Sequence, residues 1–340
     1  MNGAHASKDM PAANEPVLDI RDLVVEFPTR RGVLTAIRGV SITVGRGEIL
    51  GIVGESGAGK SLTGAAVIGL LEPPGRIAGG EIRIRGRRID NLPKRDMMAL
   101  RGSTIGAIFQ DPLTSLNPLL TVGDQLIETI RCHLPLSRAE AAMRAIDLLN
   151  EVGIPSAELR LQQYPHQFSG GMRQRVVIAL ALAGEPDLVV ADEPTTALDV
   201  SIQAQITALL KRICRDRGTA VMLVTHDMGV IAETADRVAV MYAGRIVEIG
   251  PVDDIIHRPQ HPYTRGLIGS IPSLVTRHER LVQIDGAMPR LNSMPSGCAF
   301  HPRCILADTR CRSTLPPLLT NGSGLAACWN LAAGNAVEAA

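Results

Sequence analysis

Three short segments of this chain carry the residue types and spacing that phosphate chemistry needs. Gly54-Glu55-Ser56-Gly57-Ala58-Gly59-Lys60-Ser61 fits the pattern G-x4-G-K-S. In such a loop, glycines let backbone N–H groups approach phosphate oxygens closely, Lys60 reaches the β and γ phosphates as a point charge, and Ser61 offers its hydroxyl to Mg²⁺. Leu188-Val-Val-Ala-Asp192-Glu193 sets two carboxylates at the end of an apolar run, where α/β sheets place their ligand chemistry. Asp192 is suited to a Mg²⁺ shell, and Glu193 to orienting or deprotonating an attacking water. Val224-Thr225-His226-Asp227 ends another such run. His226 there can face the γ-phosphate side of the same site, and Asp227 reads as a helix cap. A histidine at a strand end is by itself an ordinary structural residue, so His226 gains its weight from the other two segments.

These residues need a sheet to converge on. Val17–Ile20, Leu23–Phe27 and Ser41–Val44 are short β-rich runs separated by Gly and Arg, the pattern of an antiparallel sheet. Ile49–Val53 reads as a buried strand feeding the glycine loop, Lys60 to Leu71 as the helix after it, and the alternating Glu81–Arg85 as a return to strand. From about 111 to 187 the character turns helical. Ser137-Arg-Ala-Glu140 is a capping box opening a helix to about Glu151, and Ser169 opens another to about Ala183. Strand Leu188–Ala191, a helix from about Val200 to Arg217 and strand Ala220–Val224 then alternate as in a parallel βαβ sheet. Arg237–Met241 and Arg245–Ile249 complete it. The fold class expected is α/β: a parallel core sheet, an antiparallel β subdomain and a helical insertion. Residues 17–260 form this domain, residues 1–16 a disordered tail, and the Pro-punctuated residues 261–340 a C-terminal extension.

Bulk composition narrows the function classes. The chain has 340 residues, 45% of them hydrophobic, which is ample for a large core. With 35 Lys plus Arg against 34 Asp plus Glu, no global field draws it to nucleic acid or an anionic membrane. The Arg83, Arg85, Arg87, Arg88 run reads as a solvated strand face. The longest apolar stretch, Val176 to Gly184, is cut off by Glu185-Pro186-Asp187, short of the roughly 18 to 20 residues a membrane span needs.

Of six cysteines, Cys298, Cys304, Cys311 and Cys328 share one C-terminal window. In a reducing compartment such clustering points to metal ligation before disulfides, and four thiolates suit Zn²⁺ or an iron–sulfur cluster. The tight Cys-x2-Cys spacing of zinc ribbons is absent, which tilts the reading toward the cluster while leaving zinc and free thiols open. Cys132 and Cys214 read as small buried hydrophobes.

Tyr164-Pro-His-Gln-Phe-Ser169-Gly170-Gly171-Met-Arg-Gln-Arg175, just ahead of the Asp192-Glu193 strand, resembles the signature sequence of the ATP-binding-cassette (ABC) family. Phe168 stands where Leu is commoner and Met172 where Gln is; neither change removes a phosphate donor. The resemblance implies that Gln110 is the Q-loop glutamine, also near Mg²⁺, that Asp199 in Thr196-Ala-Leu-Asp199 is the D-loop aspartate, and that His226 is the switch histidine. Phe27 sits where an adenine-stacking aromatic is expected, although a Phe on an apolar strand serves equally as core. Ser169, Gly170 and Gly171 would bind a phosphate of ATP held by a second ATPase subunit, self or homologue.

Phe109-Gln-Asp-Pro-Leu-Thr-Ser-Leu-Asn-Pro118 and His261-Pro-Tyr-Thr-Arg265 look like the importers of dipeptides, oligopeptides and nickel, over about Val17 to Trp329. This resemblance implies an ATP- and Mg²⁺-dependent motor subunit on the cytoplasmic face of a bacterial inner membrane. It would dock on two permease subunits, with a solute-binding protein delivering peptide, or nickel or glutathione-like cargo. It also implies a [4Fe-4S] cluster on the four C-terminal cysteines, although Ile305 stands where Pro often follows the second. A soluble ABC ATPase acting on ribosomes or DNA would instead have two cassettes or a coiled-coil insertion. A non-hydrolysing subunit would lack residues that this chain keeps.

Overall fold

A computed structural model describes residues 15–196, 198–270 and 284–331. Most of the 1–16 tail therefore lies outside the described residues. The strands are β1 (Leu18–Thr29), β2 (Gly32–Val44), β3 (Ile49–Val53), β4 (Arg76–Ile84), β5 (Arg87–Arg88), β6 (Ile105–Ile108), β7 (Leu188–Asp192), β8 (Ala220–Val224), β9 (Arg237–Tyr242), β10 (Arg245–Pro251), β11 (Leu319–Asn321) and β12 (Gly324–Ala326). They form two sheets, a four-stranded one in the order β2-β1-β4-β5 and an eight-stranded one in the order β11-β12-β10-β9-β3-β8-β7-β6.

In the larger sheet β9, β3, β8, β7 and β6 run parallel. All five residues of β3 and of β8 are buried, as befits strands covered on both faces. Parallel pairing aligns the C-terminal ends of β3, β7 and β8, and those ends carry Gly54, Glu193 and His226. One apolar cluster joins this sheet to the helical insertion through Val122, Leu148, Val176 and Ile206. A second joins it to the antiparallel sheet through Leu18, Val25, Leu50 and Val190.

Ser137 caps the helix Arg138–Glu151 in a reciprocal capping box with Glu140. The helix after the glycine loop is Lys60–Val67, shorter than its sequence suggests, because Gly69 takes a left-handed φ of 65° and ends it. The arginine face is neutralised locally: Arg83 pairs with Glu81, Arg85 with Asp187 and Arg88 with Asp90. Cys214 is buried, its thiol pushed up to about 12 by burial, whereas Cys132 is exposed and not the core residue expected. The helix carrying Cys132, Val122–His133, turns that position outward. Beyond residue 260 the chain returns to the large sheet, since β12 pairs with β10 and extends it with β11. Among the described residues, no helix is long and apolar enough to cross a membrane.

Candidate functional site

The glycine loop is shaped by its backbone. Gly54, Gly57 and Gly59 hold φ values of 154°, 82° and 108°, which side chains rarely adopt. A Cβ on Gly54 would lie 2.3 Å from the Met241 carbonyl oxygen. Lys60 folds back over the loop, its Nζ donating to the carbonyls of Gly54 at 2.8 Å and Glu55 at 3.1 Å. Burial lowers its pKa from 10.5, partly offset by the charges of Glu193, Asp192 and Glu55. The side chain is therefore a desolvated cation with nearby carboxylates, ready for a polyanion.

Ser61 Oγ donates to Asp192 Oδ1 at 3.1 Å. Burial raises the Asp192 pKa, and the Ser61 hydrogen bond only partly counters it. A hydroxyl and a half-desolvated carboxylate side by side are oxygen donors suited to a hard cation such as Mg²⁺.

Glu193 is the hub of the site. Its backbone is left-handed, φ 49°, an arrangement costing on the order of 1–3 kcal/mol for a residue with a side chain. Its carboxylate sits in a ring of partners. Gln110 Nε2 and Thr196 Oγ1 donate to Oε2 at 3.1 Å and 2.9 Å, and His226 Nδ1 lies 3.0 Å from Oε1. Burial pushes the Glu193 carboxyl up, but the hydrogen bonds from His226 and Thr196 outweigh it and leave the pKa below 4.5. Such a carboxylate is ionised at neutral pH and oriented by three neighbours, the state required of a base or water-positioning group.

These side chains line an open cleft of ≈ 930 Å³ that includes Ser56, Gly57, Gly59, Lys60, Ser61, Gln110, Glu193, Thr196 and His226. Met288, Pro289, Arg290 and Leu291 also line it, although they lie more than two hundred residues downstream of the loop. Sequence reasoning missed them and Thr196. Thr196 had a legible signal in its place three residues after Glu193; the other four had none.

Other expected residues stand apart from this cleft. Phe27 lines a neighbouring cleft of ≈ 340 Å³ that also contains Ser61, Leu62 and Asp192, and its ring packs on Gly75. Ser169 caps the helix Gly170–Leu182 by accepting from Met172 N at 3.4 Å, and Ser169 and Gly170 are exposed. A Cβ on Gly171 would strike Ile202 at 2.7 Å. Phe168 is buried with Arg160 over its ring, so the larger side chain is absorbed by packing. Asp199 caps the helix Val200–Arg217, accepting from Ile202 N at 2.9 Å.

Cys298, Cys304, Cys311 and Cys328 line one small cavity together with His301 and Trp329. All four are free thiols. Burial raises each pKa, that of Cys304 to about 11. Backbone N–H of Asn330 donates to Cys328 Sγ at 3.4 Å, and its side-chain amide to Cys311 Sγ at 3.7 Å. Among the described residues, no group of three or more His, Cys, Asp or Glu has the geometry to hold a metal ion. Tetrahedral zinc, with Zn–S of about 2.3 Å, would bring thiolates to about 3.8 Å of each other.

Residues 37–196 match the sequence model of the ABC transporter family, and residues 247–311 match that of the oligopeptide/dipeptide transporter C-terminal region. The dipeptide transport ATP-binding protein DppD of Bacillus subtilis is 49% identical over 93% of this chain and 95% of its own length. The oligopeptide transport ATP-binding protein OppD of Salmonella typhimurium is 46% identical over 97% of this chain and 98% of its own. The ATP-binding cassette MJ0796, solved as a dimer in a post-hydrolysis state with ADP and Pi, superposes with a TM-score of 0.62 at 27% identity. It covers 69% of this chain and 98% of that one. The chain therefore belongs to the ABC transporter family of ATP-binding subunits, in the group that carries the oligopeptide/dipeptide transporter C-terminal region.

Proposed function

We propose that this subunit hydrolyses ATP to drive uptake of dipeptides and oligopeptides through a separate permease, with a solute-binding protein delivering the cargo. The observation that carries the reading is the Glu193 carboxylate, ionised and held by Gln110, Thr196 and His226 at the edge of the Lys60 and Ser61 cleft. Residues 17–260 act as the cassette, with its helical subdomain at about 111–187, and residues 261–340 as the extension.

In this reading Gly54, Ser56, Gly57, Ala58, Gly59 and Lys60 cradle the phosphates. Ser61, Asp192 and Gln110 hold Mg²⁺, which when bound neutralises charge on the phosphate oxygens. Glu193 accepts a proton from the attacking water or orients it, and His226 and Gln110 keep the carboxylate aimed. Phe27 stacks on adenine. Ser169, Gly170 and Gly171 receive the phosphate of a partner subunit, with Asp199 at that junction. Two features support the partner role: the exposure of Ser169 and Gly170, and a helix N-terminus that favours anions. The subunit works at the cytoplasmic face of the inner membrane.

The four C-terminal thiols are proposed as ligands of a [4Fe-4S] cluster. Their common cavity and the N–H groups aimed at two sulfurs support it. Bound there, the cluster supplies a redox-active cross-link.

Proteoliposomes containing the assembled transporter should take up labelled dipeptide only with ATP, and Lys60→Ala should abolish uptake. Uptake of nickel with no peptide would refute the cargo. Iron and acid-labile sulfide in anaerobically purified protein test the thiol site; one equivalent of zinc without iron would exclude the cluster.

A further inference from the structure

Glu55, the second residue of the phosphate loop, is gripped from the far end of the chain. Its carboxylate receives both terminal nitrogens of Arg303, at 2.6 Å and 2.9 Å, and its backbone N–H donates to the Tyr263 hydroxyl at 2.8 Å. The Arg303 side chain is only 5% exposed, against 31% for Glu55. Its guanidinium lies over the Tyr242 and Phe300 rings at 5.8 Å and 5.9 Å. A planar fork desolvated on aromatic faces and paired bidentately has few alternative positions.

The same guanidinium holds the segment that leads into the cleft lining. Arg303 Nε donates to the Asp285 carbonyl at 2.8 Å and Nη2 to that of Ile284 at 3.2 Å. Three residues farther on, Met288 begins a segment that lines the nucleotide cleft. One side chain therefore ties the phosphate loop to a cleft lining supplied by the C-terminal extension.

We propose that Arg303 and Tyr263 are positioning residues of the nucleotide site, so that ATP affinity is set partly by the C-terminal extension through Glu55. Neither side chain lines the cleft; both act by fixing the backbone whose N–H groups meet the phosphates. The inference rests on the nucleotide reading of the cleft and uses no property of whatever the four thiols hold.

The test reads MgATP affinity of the full chain by displacement of a fluorescent ATP analogue, together with KM and kcat in the assembled transporter. Arg303→Met and Glu55→Gln should each weaken ATP about tenfold, and the double variant no more than the weaker single, because both remove one interaction. KM should rise while saturating kcat stays within about twofold, whereas Arg303→Lys should rescue only in part, since an ammonium lacks the fork. Tyr263→Phe, which removes one oxygen, should weaken ATP about threefold and keeps the test alive if Arg303→Met does not fold. Unchanged affinity in these variants, or effects that multiply in the double variant, would overturn the proposal. If the unaltered chain binds no ATP, the nucleotide reading itself fails, which is a separate result.

Discussion

Glu193 and Asp192 are adjacent in sequence yet differ in chemistry because one backbone dihedral separates them. Asp192 ends β7 beside Ser61 with its pKa raised by burial, while burial of the left-handed Glu193 is outweighed by hydrogen bonds from His226 and Thr196 that hold its pKa down. The sign for pH follows directly. Glu193 is deprotonated above its lowered pKa, so hydrolysis should lose this base only as pH falls below 4.5, and between about pH 6 and 8 it should add no slope. A pH profile of kcat/KM checks this, and an acid limb near neutrality would contradict it. His226→Ala should cut kcat by roughly 10- to 100-fold with ATP affinity little changed, since it removes an orienting partner and not a phosphate donor.

At the scale of elements, the glycine loop is the least forgiving piece. Gly54→Ala would press a Cβ against the Met241 carbonyl at 2.3 Å and strain a φ of 154°, and should abolish ATP binding measured by titration. The helical insertion is more tolerant. Ser137→Ala loses one exposed cap and should cost about 1 kcal/mol, read as a small fall in the denaturation midpoint, with turnover unaffected. Elements governed by local pattern were legible in the sequence: Ile49–Val53, Ala220–Val224 and the helix Val200–Arg217 have the bounds their apolar runs and flanking turns suggest. The phosphate loop was equally plain, because its chemistry demands contiguous residues. By contrast β11 and β12 are three residues each and exist through pairing, β12 with β10 and β11 with β12, so no local pattern announces them. Met288–Leu291 at the cleft and Arg303 behind the loop are likewise fixed only by tertiary contacts.

In the whole molecule, Ser169 and Gly170 stand exposed outside the cleft that Lys60, Ser61 and Glu193 line on the same chain. In the proposed function one chain offers two half-sites, each to be completed by a second ATPase subunit, whether a copy or a homologue. Ser169→Arg should leave ATP binding by this chain intact and reduce turnover of the assembled transporter more than tenfold, because it blocks the surface offered to the partner's nucleotide. The measurement that bears most directly on the account is ATP binding and hydrolysis by Glu193→Gln in the assembled transporter. An isosteric amide keeps the pocket but cannot take a proton. The account predicts ATP affinity within about threefold of the unaltered protein, turnover lowered more than a hundredfold, and a trapped complex of two ATPase subunits with bound ATP. Near-normal hydrolysis by Glu193→Gln would contradict it.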